Sequence, residues 1–161
     1  MCLVFYNNWE FYTTAIEIAV TIGLGIIVWY STKKFNNNQL EIANHQLQKQ
    51  LFSEFNQRYD VLNDHLEKIC KFNSLEELQS KKPKKYNFLR NKLNDYFNLC
   101  AEEYYWFKKG RIDKDVWLSW EKGMNSWYAN YPIIREAWEE EYNLFGATSF
   151  YLKPGENFFN S

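Results

Sequence analysis

The sequence predicts an all-α protein, with one N-terminal transmembrane helix followed by a cytoplasmic helical bundle of about four main helices. Three observations carry that expectation. Residues 11–30 read FYTTAIEIAVTIGLGIIVWY, twenty residues with one charge. Beyond residue 38 apolar side chains recur at spacings of three and four, the period of a helix, and no useful stretch alternates as a strand would. Helix start and stop signals, among them Asp113, Gly110 and Gly146, fall where the periodic stretches begin and end.

The first element is the membrane helix. At 1.5 Å per residue, twenty residues span about 30 Å of hydrocarbon. Trp9 and Tyr12 mark one end and Trp29 and Tyr30 the other, at the depth where amphipathic rings settle among headgroups. The first thirty residues hold no Lys or Arg, and Lys33 and Lys34 follow at once. The positive-inside bias then places the N-terminus outside and the bundle in the cytoplasm. With no basic n-region and no small-residue cleavage site, the segment reads as an uncleaved anchor.

Glu17 is the odd residue of this span. Nine strongly apolar side chains favour insertion by roughly 3 to 5 kcal/mol, against roughly 2.5 to 3.5 kcal/mol for one charged residue near the centre. At 100° per residue Glu17 shares a face with Thr13 and Thr21, while Ala15, Ala19 and Gly23 form a small-residue stripe on roughly the opposite face. Two readings follow: Glu17 bonds across a contact with another membrane helix, or it bonds Thr13 or Thr21 locally.

The helix over 38–69 is expected to run almost directly out of the membrane helix, with Asn36, Asn37 and Asn38 as a polar break. Over residues 38–69, Leu40, Ala43, Leu47, Leu51, Phe55, Tyr59, Leu62, Leu66 and Ile69 draw one apolar stripe. Its spacing departs from a strict heptad, which favours packing against the protein's own helices over a parallel coiled-coil stalk. Ser74 and Glu77 form a capping box for a short helix over 75–79. The loop 81–85 follows, with four lysines around Pro83. Near an anionic leaflet each lysine contributes about 1 kcal/mol. A solvated loop is the favoured reading.

Residues 86–109 carry Leu89, Leu93, Tyr96, Phe97, Cys100, Tyr104 and Phe107 with helical period, and Gly110 is placed as the residue just past the end. Asp113 caps the next helix, whose face is Val116, Trp117, Trp120, Met124 and Trp127. Asn130 and Pro132 punctuate, and a last helix over 133–145 ends at Gly146. The domain division is therefore 1–10 as a short extracytoplasmic N-terminus, 11–30 as the span, 31–146 as the bundle and 147–161 as a packed or loose tail. Trp106, Trp117, Trp120, Trp127 and Trp138 are expected to fill the bundle interior.

Composition narrows the chemistry. The chain has 161 residues, 46% hydrophobic and 20% aromatic, which excludes a disordered tail. Its 19 basic and 20 acidic residues remove the basicity of a dedicated nucleic-acid binder. The two His are twenty residues apart, and no Cys pair has zinc-ligand spacing. No Gly-rich phosphate loop or nucleophile elbow is present. No cofactor, metal site, nucleic acid or small-molecule substrate is expected; the expected partners are the lipid bilayer and a protein or a second copy of the chain. Cys70 and Cys100 read as small core residues. Glu103, Tyr104, Tyr105 and Trp106, with Arg111 after them, form the densest polar-aromatic patch and a candidate interaction surface. Adjacent Glu102 and Glu103 point about 100° apart on a helix and cannot flank one substrate. They are read as part of a solvated face.

Two resemblances add expectations. Arg58 and His65 are seven residues apart on one helical face, and the R-x6-H pattern resembles the motif of helical HEPN-domain ribonucleases. That likeness implies Arg58 on the scissile phosphate and His65 activating a ribose hydroxyl, although Tyr59 stands where the family has a polar residue. The run from Tyr96 to Asp113, with Val116, Trp117, Gly123 and Met124, and residues 55–59 behind a hydrophobic anchor, resembles small bacterial membrane-anchored proteins of unknown function found in prophages and genomic islands. It implies a bacterial inner membrane, with a looser link to phage–host conflict, and supplies no catalytic residues. The leading expectation is a non-enzymatic, single-pass interaction module. The alternative is an oligomerising effector that perturbs the bilayer.

Overall fold

The computed structural model describes residues 2–159, with side chains from Trp9 onward. Five α-helices make up the described chain: α1 (Cys2–Ile69), α2 (Leu75–Lys81), α3 (Tyr86–Lys108), α4 (Lys114–Asn130) and α5 (Pro132–Phe145). Short 3-10 turns occupy Pro83–Lys85 and Ala147–Phe150, and no strand occurs among the described residues. The all-α class is as expected. The chain divides into two compact units, residues 1–45 and 46–161.

In the first unit, the expected break at Asn36–Asn38 does not occur, because α1 is helical without interruption from Cys2 to Ile69. Asparagine costs only a fraction of a kcal/mol more than Ala in a helix, and neither Gly nor Pro stands there to raise that cost. The large apolar side chains from Trp9 to Tyr30 are 55–69% exposed. α1 contains one stretch long and apolar enough to cross a membrane, with none of it buried. A helix apolar all round and uncovered by its own protein is what a hydrocarbon environment accommodates.

The second unit is a bundle built on residues 46–69 of α1 together with α2 to α5. The apolar stripe of α1 is covered only from Leu47 onward: Leu51, Phe55, Leu62, Leu66 and Ile69 are buried, whereas Leu40 and Ala43 stay exposed. Caps set the helix limits as the sequence predicts. Ser74 Oγ accepts from Glu77 N (3.1 Å), though the Glu77 carboxylate reaches one residue further back than a capping box requires, to Asn73 N (2.8 Å). The short helix runs on to Lys81. Asp113 Oδ1 accepts from Asp115 N (2.8 Å) and Val116 N (3.4 Å). α3 closes in a Schellman motif, with Arg111 N donating to Trp106 O and Gly110 N to Phe107 O, and Gly110 takes φ +66° to make the turn.

The core centres on Trp138, 1% exposed, whose ring lies 4.6 Å from Phe158, 4.8 Å from Phe150 and 5.3 Å from both Phe97 and Phe159. Three of those four rings come from the tail, so residues 147–159 are packed into the bundle. Of the five tryptophans expected inside, only Trp117 and Trp138 are buried; Trp106, Trp120 and Trp127 are half-covered. An indole keeps a polar N–H, and Trp127 satisfies its own at the bundle's edge by donating to Tyr59 Oη (2.8 Å).

Candidate functional site

A buried acid sits on α3. Glu103 is 6% exposed, on the same helical face as Tyr96 and Cys100. Among the described residues its carboxyl makes no hydrogen bond. The other buried acid, Glu141, differs in accepting from Arg90 Nη2 (2.8 Å). Burial pushes the Glu103 carboxyl up to about 8; the charge of Arg58 opposes that rise and Glu102 adds to it. The expected solvated pair of glutamates is thereby corrected. Their 100° offset turns Glu102 to the surface and Glu103 into the core.

Arg58 is held by Glu102. Its guanidinium donates through Nη1 to Oε2 (2.6 Å) and through Nη2 to Oε1 (3.1 Å), a bidentate fork tying α1 to α3. That bond raises the Arg58 pKa, so the group stays charged beside Glu103. Glu103 faces a cavity of about 160 Å³ shared with Tyr59, Tyr96, Trp120 and Met124. Tyr96 Oη is buried there with no hydrogen-bond partner among the described residues. Asn56, Leu99, Ser119 and Gly123 complete the lining.

His65 lies elsewhere. Its ring meets Phe88 edge-on at 5.4 Å and lines a cavity of about 470 Å³ with Lys68, Lys71, Lys82 and Lys85. Arg58 lines a different groove, with Gln57, Lys92 and Asp95. Shared helical phase is not convergence: two rungs of a helix about 10 Å apart meet different neighbours across it.

The Glu103, Tyr104, Tyr105, Trp106 and Arg111 patch is divided rather than exposed as one surface. Glu103 faces inward. Tyr104 Oη donates to Glu156 Oε1 (2.9 Å), Lys108 Nζ to Glu156 Oε2 (2.8 Å), and the Tyr105 ring lies 5.4 Å from both Trp106 and Tyr151. The patch is thus largely taken by the protein's own tail. Those bonds hold the Glu156 carboxylate down to about 2, with Lys108 the largest cause.

In the first unit, the Thr hydroxyls bond backward along the helix, Thr13 Oγ1 to Glu10 O (2.9 Å) and Thr21 Oγ1 to Glu17 O (2.8 Å). Neither hydroxyl bonds the Glu17 carboxylate, which has no hydrogen-bond partner among the described residues. Ala15, Ala19 and Gly23 lie on helix surface that no other element covers, and a Cβ added at Gly23 meets nothing within 4 Å. At the far end Lys33 Nζ lies 5.2 Å from the Trp29 ring, with Tyr30 and Lys34 adjoining them.

The Cys70 and Cys100 thiols are not poised for chemistry. Burial pushes Cys70 up to about 12 and Cys100 well above its ordinary range, so neither provides thiolate. No cluster of three metal-ligating side chains occurs among the described residues. Comparison with protein-family models, curated proteins and solved structures finds no match to this chain.

Sequence reasoning missed Glu103 as a core residue, Arg90–Glu141 as an ion pair and Glu156 as the tail's anchor. For Glu103 the signal is present: it stands three residues after Cys100 and four before Phe107, in register with the apolar face. The other two depend on contacts across about fifty residues, which periodicity does not report.

Proposed function

We propose that the protein is a single-pass, membrane-anchored helical module that binds rather than converts its partner, with residues 11–30 as the anchor and the bundle on the cytoplasmic side of a bacterial membrane. The observation that carries this reading is the uncovered apolar surface of α1, where the large side chains from Trp9 to Tyr30 are more than half exposed. In water that surface far exceeds what a soluble monomer leaves bare. Aromatic rings at both ends, and Lys33 on Trp29 at the inner one, suit the two headgroup layers. The binding role is supported by the state of the reactive groups: Arg58 is engaged by Glu102, the Cys70 and Cys100 thiols are protonated, and His65 lines a separate cavity.

Membrane fractionation tests the anchor. The full chain is expected in the membrane pellet after alkaline carbonate extraction, and Ile18→Lys with Ile22→Lys is expected to move it to the supernatant. Carbonate-soluble wild-type protein would overturn the reading.

A second reading is favoured by the unpartnered Glu17 carboxylate. Anchors that associate through Glu17 and the Ala15, Ala19 and Gly23 stripe form an oligomer able to perturb the bilayer. Cross-linking in membranes is expected to show that oligomer in wild type and to lose it in Glu17→Leu or Gly23→Leu. Equal yields in all three would dismiss it.

A further inference from the structure

The cavity beside His65 has a chemistry that neither the anchor nor the Glu103 centre uses. Lys68 and Lys71 come from the end of α1 and the turn after it, Lys82 and Lys85 from the segment joining α2 to α3, and Phe88 from the first turn of α3. No acidic residue lines the cavity. None of the four lysines has an ion pair among the described residues, whereas Lys81, Lys92 and Lys108 are each paired with a carboxylate. Four like charges around one concavity repel one another, and an entering anion relieves that repulsion at every position at once. α3 also begins here without an acidic residue in its first turn, so the positive end of its dipole adds to the field.

Size and walls narrow the ligand. About 470 Å³ is within the range of small-molecule pockets and much larger than an inorganic anion fills. Phe88 is 52% exposed, with His65 edge-on to its ring, and offers an apolar face beside the lysines. We propose that this cavity binds an organophosphate, its phosphate held by Lys68, Lys71, Lys82 and Lys85 and its organic part resting on Phe88. A soluble nucleotide and an anionic lipid headgroup both present that chemistry.

The test is calorimetric titration of the full chain in neutral detergent micelles with adenosine triphosphate, with glycerophosphoglycerol as a deacylated lipid headgroup, with inorganic pyrophosphate, and with a short RNA oligonucleotide. At least one of the two organophosphates is expected to bind, with affinity that falls as salt is added. Binding of the nucleotide alone assigns a soluble ligand, and binding of glycerophosphoglycerol alone assigns a lipid headgroup. The Lys82→Glu, Lys85→Glu double variant is expected to bind about tenfold more weakly or worse. The charge-matched pair Lys114→Glu, Lys122→Glu on α4 is expected to bind as wild type does. Thermal melts of both pairs distinguish lost binding from lost folding. Silence with both organophosphates, binding of pyrophosphate alone, equal loss in the two double variants, or binding of an RNA oligonucleotide without either organophosphate would each overturn the proposal.

Discussion

Replacing Glu103 with Gln removes a proton-binding group from the core while keeping its shape. In the wild type, burial raises this carboxyl from its ordinary 4.5 to about 8. A carboxyl whose folded pKa exceeds its unfolded pKa stabilises the fold fully below the unfolded value, and that stability is lost as pH rises through the folded value. At about 1.36 kcal/mol per unit, the interval of roughly three and a half units corresponds to about 5 kcal/mol, of which about 4 kcal/mol falls between pH 5 and pH 9. Glu103→Gln carries no such dependence. Urea unfolding of both proteins in detergent micelles, followed by tryptophan fluorescence, is expected to show the variant gaining about 4 kcal/mol on the wild type across that range. Arg58 opposes the rise, so Arg58→Gln is expected to move the wild-type transition to still higher pH. Parallel stability curves for wild type and Glu103→Gln from pH 5 to pH 9 would refute the reasoning.

Three other substitutions probe the packing. Glu156→Gln removes the carboxylate that accepts from Tyr104, Lys108 and the Lys153 N–H, and is expected to cost about 1 to 3 kcal/mol and to speed hydrogen exchange in the tail. Because this carboxylate is held down to about 2, the wild type should lose the same contribution only as pH falls from about 4.5 through 2. Trp138→Ala empties the centre of the aromatic cluster and is expected to lower stability by about 3 to 5 kcal/mol by denaturant unfolding. Gly110→Ala meets no neighbour within 4 Å, so its cost of about 1 kcal/mol is the positive φ alone, and Gly110→Asn is expected to recover part of it in thermal melts.

What was legible in the sequence was local. The caps at Ser74 and Asp113 and the stop at Gly110 each depend on a side chain or a φ within three residues of the helix end, and all are where the spacing predicts them. The long apolar stretch of α1 was legible because residues 11–30 carry one charge in twenty. The Asn36–Asn38 run misled because polarity marks loops only by association, while a helix is broken by a missing N–H or excess backbone freedom. Arg58 and His65 show a different limit: helical phase places them on one face, while their neighbours on α3 pair one with Glu102 and set the other against Phe88. The Glu103 centre combines both limits. Its register was visible in α3, but its lack of a partner is a fact of three helices together.

Topological labelling tests the central claim most directly. In a background where Cys2, Cys70 and Cys100 are replaced by Ser, single cysteines are introduced as Glu10→Cys, Ile18→Cys and Asn38→Cys, and a membrane-impermeant maleimide is added to intact spheroplasts and to permeabilised ones. A spanning α1 predicts labelling of Glu10→Cys in both preparations, of Asn38→Cys only after permeabilisation, and of Ile18→Cys in neither. Ready labelling of Ile18→Cys, or labelling of all three positions from one side, would contradict the account.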